Sequence, residues 1–143
     1  MGRTPRAAAA SLLRERAPVI LPLVVSEATV GGASESDTLE LQRHLKTYLD
    51  QRIPLWIDAL AADNSEREDA IRRLLETDVA AGEHIPPVVL LGTVAIGYRV
   101  IEAEIRKADA DGFSADELCA EVDLFRRTVS DRRRNASGGG RVA

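Results

Sequence analysis

The chain has a single cysteine, Cys119, in 143 residues. An internal disulfide is therefore impossible, and a reducing compartment fits the composition. Aromatic side chains make up only 3% of the sequence. That scarcity argues against a β-sandwich, whose strands favour aromatic and β-branched residues. No run of about 18 apolar residues occurs, so no membrane-spanning helix is predicted. Neither glycine cluster, Gly31-Gly32 or Gly138-Gly139-Gly140, is followed by the Lys-Ser/Thr and helix of a phosphate-binding loop. The two histidines are His44 and His84. His44 follows Glu40 by four residues, which suits a surface pair on one helix face, and no further pair stands at metal-ligand spacing. One histidine among alanine-rich helices is not a haem signal. Residues 109–117 imitate a calcium loop, but setting Gly112 at its sixth position puts Lys107 and Leu118 where the end ligands belong. No nucleophile–base constellation can be assembled. The expectation is no catalytic residue, no cofactor and no metal.

What the sequence does have is a 45% hydrophobic content dominated by Ala, Leu, Val and Ile. Such a core suits close-packed helices in one domain. The net charge of −4 is unevenly spread. Residues 1–16 carry four arginines against one glutamate, and residues 126–143 carry six arginines against one aspartate. The stretch between holds nine basic and twenty-one acidic residues. A nucleic-acid reader gathers positive charge on one structured face, so no nucleic-acid partner is expected. The Arg132-Arg133-Arg134 run reads as a solvated helix end. Val19 to Val25 follows Arg14-Glu15-Arg16 and precedes Ser26-Glu27-Ala28, a weak imitation of a secretory signal. It is short, contains Pro22 and lies behind an acidic residue, so a cytoplasmic location is expected, with export as the alternative.

Five helices can be read. The first spans about 6–29, with Thr4-Pro5 as its cap and first turn and Gly31-Gly32 as its stop. Pro18 and Pro22 leave a broken or partly extended segment open. The second covers about 38–62, capped by Asp37, with Leu41, Leu45, Tyr48, Leu49, Trp56 and Leu60 on one side and a kink expected at Pro54. The third covers about 66–81, with Ser65 and Glu68 as a capping box and Ile71, Leu74, Leu75 and Val79 as its stripe. Gly82 stops it. The fourth runs from Pro86-Pro87 to about 108. Its first half is apolar nearly all round, which predicts a central helix buried on several sides. Leu91, Val94, Tyr98 and Ile101 are expected to pack against Leu45, Leu49, Trp56, Leu74 and Val122. The fifth starts with Ser114 as cap and Glu117 completing the box, followed by the stripe Leu118, Val122, Phe125 and Val129. Cys119 is expected to be a buried, inert thiol. In domain terms these segments give an N-terminal helical arm (1–33), a helical bundle (34–134) and a disordered tail (135–143).

The middle of the chain resembles a known family. Residues 48–60, running Tyr48-Leu49-Asp50-Gln51-Arg52-Ile53-Pro54-Leu55-Trp56, then the charged helix 66–81, then Gly82-Glu83-His84-Ile85-Pro86-Pro87 and Leu90-Leu91 with Arg99 after it, are similar to the helical N-terminal input domain of stressosome RsbR-type co-antagonists. The corresponding helical segment of PucR/CdaR-type regulators is similar too. The resemblance covers about two-thirds of the chain. It implies a globin-like or bundle sensor domain without haem, used as a dimer, with no catalytic residue.

The expected fold is thus an all-α bundle of about five helices. The expected function is a non-catalytic cytoplasmic signalling or protein–protein interaction module of a bacterial regulatory system. The alternative is a helical-bundle enzyme subunit or metal-carboxylate protein, which would require Glu40, His44, Asp78, Glu102 or Glu104 to meet in the interior. Val19 to Val25 is too apolar to lie free in water. A homodimer is expected to bury it through Ile20, Leu23 and Val24.

Overall fold

The computed structural model describes residues 4–29, 35–108 and 112–142, with side chains for the helical residues among them except 35–38 and 136–142. All regular structure among these residues is α-helical: α1 (Pro5–Ala28), α2 (Glu35–Ala61), α3 (Asn64–Ala81), α4 (Pro87–Lys107) and α5 (Ala115–Val142). The expected Gly31-Gly32 stop and the Asp109–Asp111 part of the calcium-like loop lie outside the described residues.

Helix α1 begins as its sequence predicts. Thr4 is the N-cap, its Oγ1 accepting from the Ala7 amide at 3.1 Å, and Pro5 supplies a first-turn residue whose missing N–H costs nothing there. The helix then runs unbroken through Pro18 and Pro22. Both prolines are exposed, and the carbonyls they leave without an amide partner belong to Arg14 and Pro18, which are exposed as well. Water can satisfy those groups, so the helix survives. Pro54 in α2 is tolerated on the same terms, opposite exposed Asp50.

The N-terminal segment is not an arm beside the bundle. It is the bundle's central helix, packing extensively on α2 and α4 and also meeting α5. Ala8, Ala9 and Ala10 are buried at its start, where small side chains let neighbouring backbones come close. Leu13, Ile20 and Val24 continue the same face into the core. Helix α2 packs on α3, and α3 touches α5 only lightly.

Because α1 holds the centre, α4 does not. Its buried residues are Thr93, Val100, Glu104 and Ile105, while Val88 and Leu91 face water, Leu91 at 63% exposure. The expected burial of Leu91 against α2, α3 and α5 is thereby corrected. An all-round apolar run shows that a helix could be buried on every side. Whether it is depends on how many neighbours reach it, and α4 has α1 on one side and only a modest contact with α5.

Helix α3 starts two residues earlier than the expected capping box. Asp63 is the N-cap, its Oδ1 accepting from the Ser65 and Glu66 amides at 3.1 Å each, and from the Ser65 hydroxyl at 2.7 Å. These donors hold the Asp63 carboxyl below the usual carboxylate range. A carboxylate outcompetes the neighbouring hydroxyl for the helix's orphan amides because the charged acceptor bonds more strongly and suits the positive dipole end. Helix α2 begins at Glu35, so Asp37 lies inside its first turn and not at the cap. Helix α5 starts where its sequence says, with the Ser114 Oγ accepting from the Glu117 amide at 3.1 Å, after a turn at Gly112 whose φ of 81° favours glycine. Its stripe, Leu118, Val122, Phe125 and Val129, is wholly buried. The helix runs on to Val142, past the stretch expected to be disordered. Glycine lowers helix propensity but forbids no helical dihedral, so 138–140 can continue the ladder.

Trp56 ties three helices together. Its ring meets Tyr98 of α4 and Phe125 of α5 edge-on, with centroids 5.7 and 5.3 Å apart, and its Nε1 donates to the Tyr98 hydroxyl at 3.0 Å. Arg67 of α3 lies over the far ring, its guanidinium carbon 4.9 Å from the Phe125 centroid.

Candidate functional site

The chemistry of the interior centres on Asp78. It follows Ile71 and Leu74 on the buried face of α3, where an apolar residue would complete the stripe. Three donors from two other helices converge on its carboxylate. On α2, the Tyr48 hydroxyl donates to Oδ1 at 2.5 Å and the Arg52 Nε donates to the same oxygen at 2.9 Å. On α5, the Arg133 Nη2 donates to Oδ2 at 2.5 Å. Leu45, Leu49, Arg52 and Trp56 form one helical stripe on α2, so Arg52 is carried inward with its apolar neighbours. Burial of a charged group without partners is prohibitively costly, and here each charge supplies the other's partner.

The protonation states follow from that geometry. Burial raises the Tyr48 pKa well above the phenol range; Arg52 partly opposes the rise, and the adjoining Asp78 carboxylate adds to it. Burial on its own would lower the pKa of Arg52, yet attraction to the Tyr48 oxygen and to Asp78 more than offsets this, and the guanidinium stays charged. The Arg52 Nη2 nevertheless has no hydrogen-bond partner, although it is fully buried.

Arg52 borders two hollows. The first, about 30 Å³, is apolar and lies among α1, α2 and α4, bordered by Leu13, Ile20, Trp56 and Gly97. The second, about 160 Å³, opens between α4 and α5. Its wall contains Arg52, Arg126 and Arg133, with Tyr98 and Ser130 beside them and Leu91 and Val129 as apolar cover. Arg126 lies over the Tyr98 ring at 5.1 Å, and Tyr98 already accepts from Trp56, so its own hydroxyl proton remains to be donated. Among the described residues the only carboxylate paired with these three guanidinia is Asp78. The walls therefore carry an excess of positive charge.

The residues singled out from the sequence fall elsewhere. Ile20 and Val24 are each 1% exposed, inside the chain's own core, while Leu23 stands 40% exposed beside Val19 on the outer face of α1. The expected burial of Val19 to Val25 against a second copy is corrected to that extent: Ile20 and Val24, one helical turn apart, share the inward face and are already covered, while Val19 and Leu23 share the outward one. His44 pairs loosely with Glu40 at 3.8 Å and stacks on His84 with ring centroids 5.0 Å apart. Glu102 is exposed and bonds Arg106, whereas Glu104 is buried and pairs with Lys107 at 3.1 Å and Arg16 at 3.9 Å. No group of three or more His, Cys, Asp or Glu among the described residues is placed to hold a metal ion. Cys119 is half-buried, and that burial raises its thiol pKa. No helix of the described residues is long and apolar enough to cross a membrane.

Sequence reasoning missed the Asp78 cluster, yet a signal was present. Arg52 and Asp78 are opposite charges occupying stripe positions on consecutive helices, which is where a buried ion pair must come from. No protein-family model matches the chain, and neither the curated proteins nor the solved structures give a match.

Proposed function

We propose that this chain is a non-catalytic sensor and interaction module of a bacterial regulatory system, acting in the cytoplasm as a homodimer. The observation that carries the sensor reading is the contact between the hollow and the ion cluster. Arg52 and Arg133 line the 160 Å³ hollow and at the same time bond Asp78, so they join α2, α3 and α5. A molecule entering the hollow changes the partners of these guanidinia. The relative stability of two arrangements of the helices then depends on occupancy, which is the physical content of sensing. The groups at the hollow are cations, hydroxyls and aliphatics, a set suited to holding a ligand and lacking a nucleophile with its base. The resemblance of residues 38–130 to stressosome and PucR/CdaR input domains points the same way.

The interaction half of the reading rests on α1. Pro18, Val19, Pro22 and Leu23 form an exposed apolar face on one side of that helix, and a two-fold partner offering the same face would cover it. Sedimentation of the wild type and of the Val19→Asp/Leu23→Asp variant at several concentrations tests this. A dimer that the variant dissociates without loss of helicity is the expected result, and a wild type that stays monomeric at high micromolar concentration removes the dimer. Multiple-turnover consumption of any compound in a metabolite panel, abolished by Arg126→Gln, would overturn the non-catalytic reading.

A further inference from the structure

We infer that the hollow between α4 and α5 is a binding site for a small carboxylate with an apolar body. The inference gives the sensor reading its ligand class and rests on that reading for its biological meaning. Three guanidinia border one hollow, and a single carboxylate, Asp78, is shared by two of them. Arg126 has no ion pair among the described residues and is held in place by the Tyr98 ring beneath it. Like charges gathered around a hollow repel one another, and an entering anion removes that repulsion while forming charge-assisted hydrogen bonds. Each guanidinium has five N–H donors in a planar fork. Arg133 uses Nη2 on Asp78 and Arg52 uses Nε, so both keep donors beyond those the cluster consumes. The Ser130 and Tyr98 hydroxyls add neutral donors at the same wall.

The rest of the lining decides what kind of anion fits. Leu91, Val94, Ala95 and Val129 line the hollow together with the arginines and give it aliphatic surface. A bare inorganic oxyanion would leave that surface in contact with nothing it can satisfy, whereas an organic acid places its carboxylate on the guanidinia and its carbon skeleton on the aliphatics. The volume of about 160 Å³ is well beyond what a single water requires. The exposed side chain of Leu91, which the fold leaves without a partner on α4, gains a contact in the occupied site.

The test is a titration of the full chain with acetate, butyrate, hexanoate and benzoate, read by calorimetry and by backbone amide NMR shifts. Butanol, benzyl alcohol and inorganic phosphate are the comparison probes. Arg126→Gln and Ser130→Ala are the variants, since both residues are at the surface and outside the Asp78 cluster, and circular dichroism checks that each is folded. The expected result is saturable binding of the larger carboxylates, with shifts at residues 91–98 and 126–133 and no binding of the alcohols. Arg126→Gln should weaken the affinity at least about tenfold, the scale of one lost charge-assisted hydrogen bond. Absence of carboxylate binding at millimolar concentration overturns the inference, as does binding that Arg126→Gln leaves unchanged. Phosphate binding tighter than the best carboxylate also overturns it, because the aliphatic wall would then play no part. Hydrogen exchange on the same samples separates the two readings. Carboxylate binding with no change in protection of α2, α3 or α5 keeps the site and removes its sensing role, while lack of binding removes the site and leaves the sensor reading to another ligand.

Discussion

Arg52 and Asp78 lie 26 positions apart in sequence and on different helices, yet the Arg52 Nε donates to the Asp78 Oδ1 at 2.9 Å with both side chains about nine-tenths buried. The pair is the junction of α2 with α3, and Arg133 extends it to α5. The Tyr48 hydroxyl donates to the same carboxylate oxygen, and three helices meet in this cluster.

Breaking that contact from one side leaves a buried charge alone. Asp78→Asn removes the negative charge and keeps the shape, so Arg52 and Arg133 face each other without compensation. We expect a loss of about 3–5 kcal/mol in urea denaturation, the range for unpairing a buried ion pair. The double variant Arg52→Met/Asp78→Leu should be markedly more stable than Asp78→Asn, because it removes both charges together. A change below about 1 kcal/mol for Asp78→Asn would mean that water reaches the cluster freely.

The positions of α1 and α4 predict opposite outcomes for two aliphatic truncations. Leu91→Ala should alter stability by no more than about 0.5 kcal/mol, as for other surface sites. Leu13→Ala, at a fully buried position on the central helix, should cost about 2–5 kcal/mol. Chemical denaturation of the two variants side by side is decisive, and the reverse ranking would return α4 to the centre.

Single charged substitutions on α1 separate its two faces. Ile20→Asp places a carboxylate in the core and should abolish cooperative unfolding at moderate temperature. Leu23→Asp, three residues on and partly exposed, should retain the wild-type circular dichroism spectrum. Equal loss of structure in both would show that the outer face of α1 is also buried in the folded chain.

Tyr48 gives the fold a sensitivity at alkaline pH. The unfolded chain ionises this phenol near pH 10, while burial keeps it protonated in the folded state well above that. Folded-state stabilisation from this group is therefore complete below about pH 10 and declines as pH rises further, since the unfolded state then releases a proton that the folded state retains. In Tyr98→Phe, the tyrosinate absorbance of the remaining phenol should appear only together with loss of helicity. Ionisation of Tyr48 near pH 10 in a still-helical protein would contradict the buried hydrogen bond to Asp78.

Local patterns in the sequence determined that this chain is helical, how many helices it makes and where several of them start. Thr4-Pro5, Pro86-Pro87 and Ser114-x-x-Glu117 carry their boundaries within four residues, and the α5 stripe needs only its own periodicity. The start of α3 is legible in the sequence only to within two residues, because Asp63 and Ser65 are both capping side chains in one short segment and the charged acceptor at Asp63 takes the free amides. Tertiary structure alone decided which helix is central. A two-faced α1 and an all-round apolar run on α4 are each compatible with either role, and the choice depends on which helix the others reach: α1 meets α2, α4 and α5, and its small Ala8, Ala9 and Ala10 are buried. It likewise decided that Arg52, Asp78 and Arg133 meet and that Arg126 joins two of them at one hollow. Helical periodicity places each of these side chains on a face, but the meeting of faces 26 and 55 residues apart is set by packing angles between helices, which no local spacing encodes.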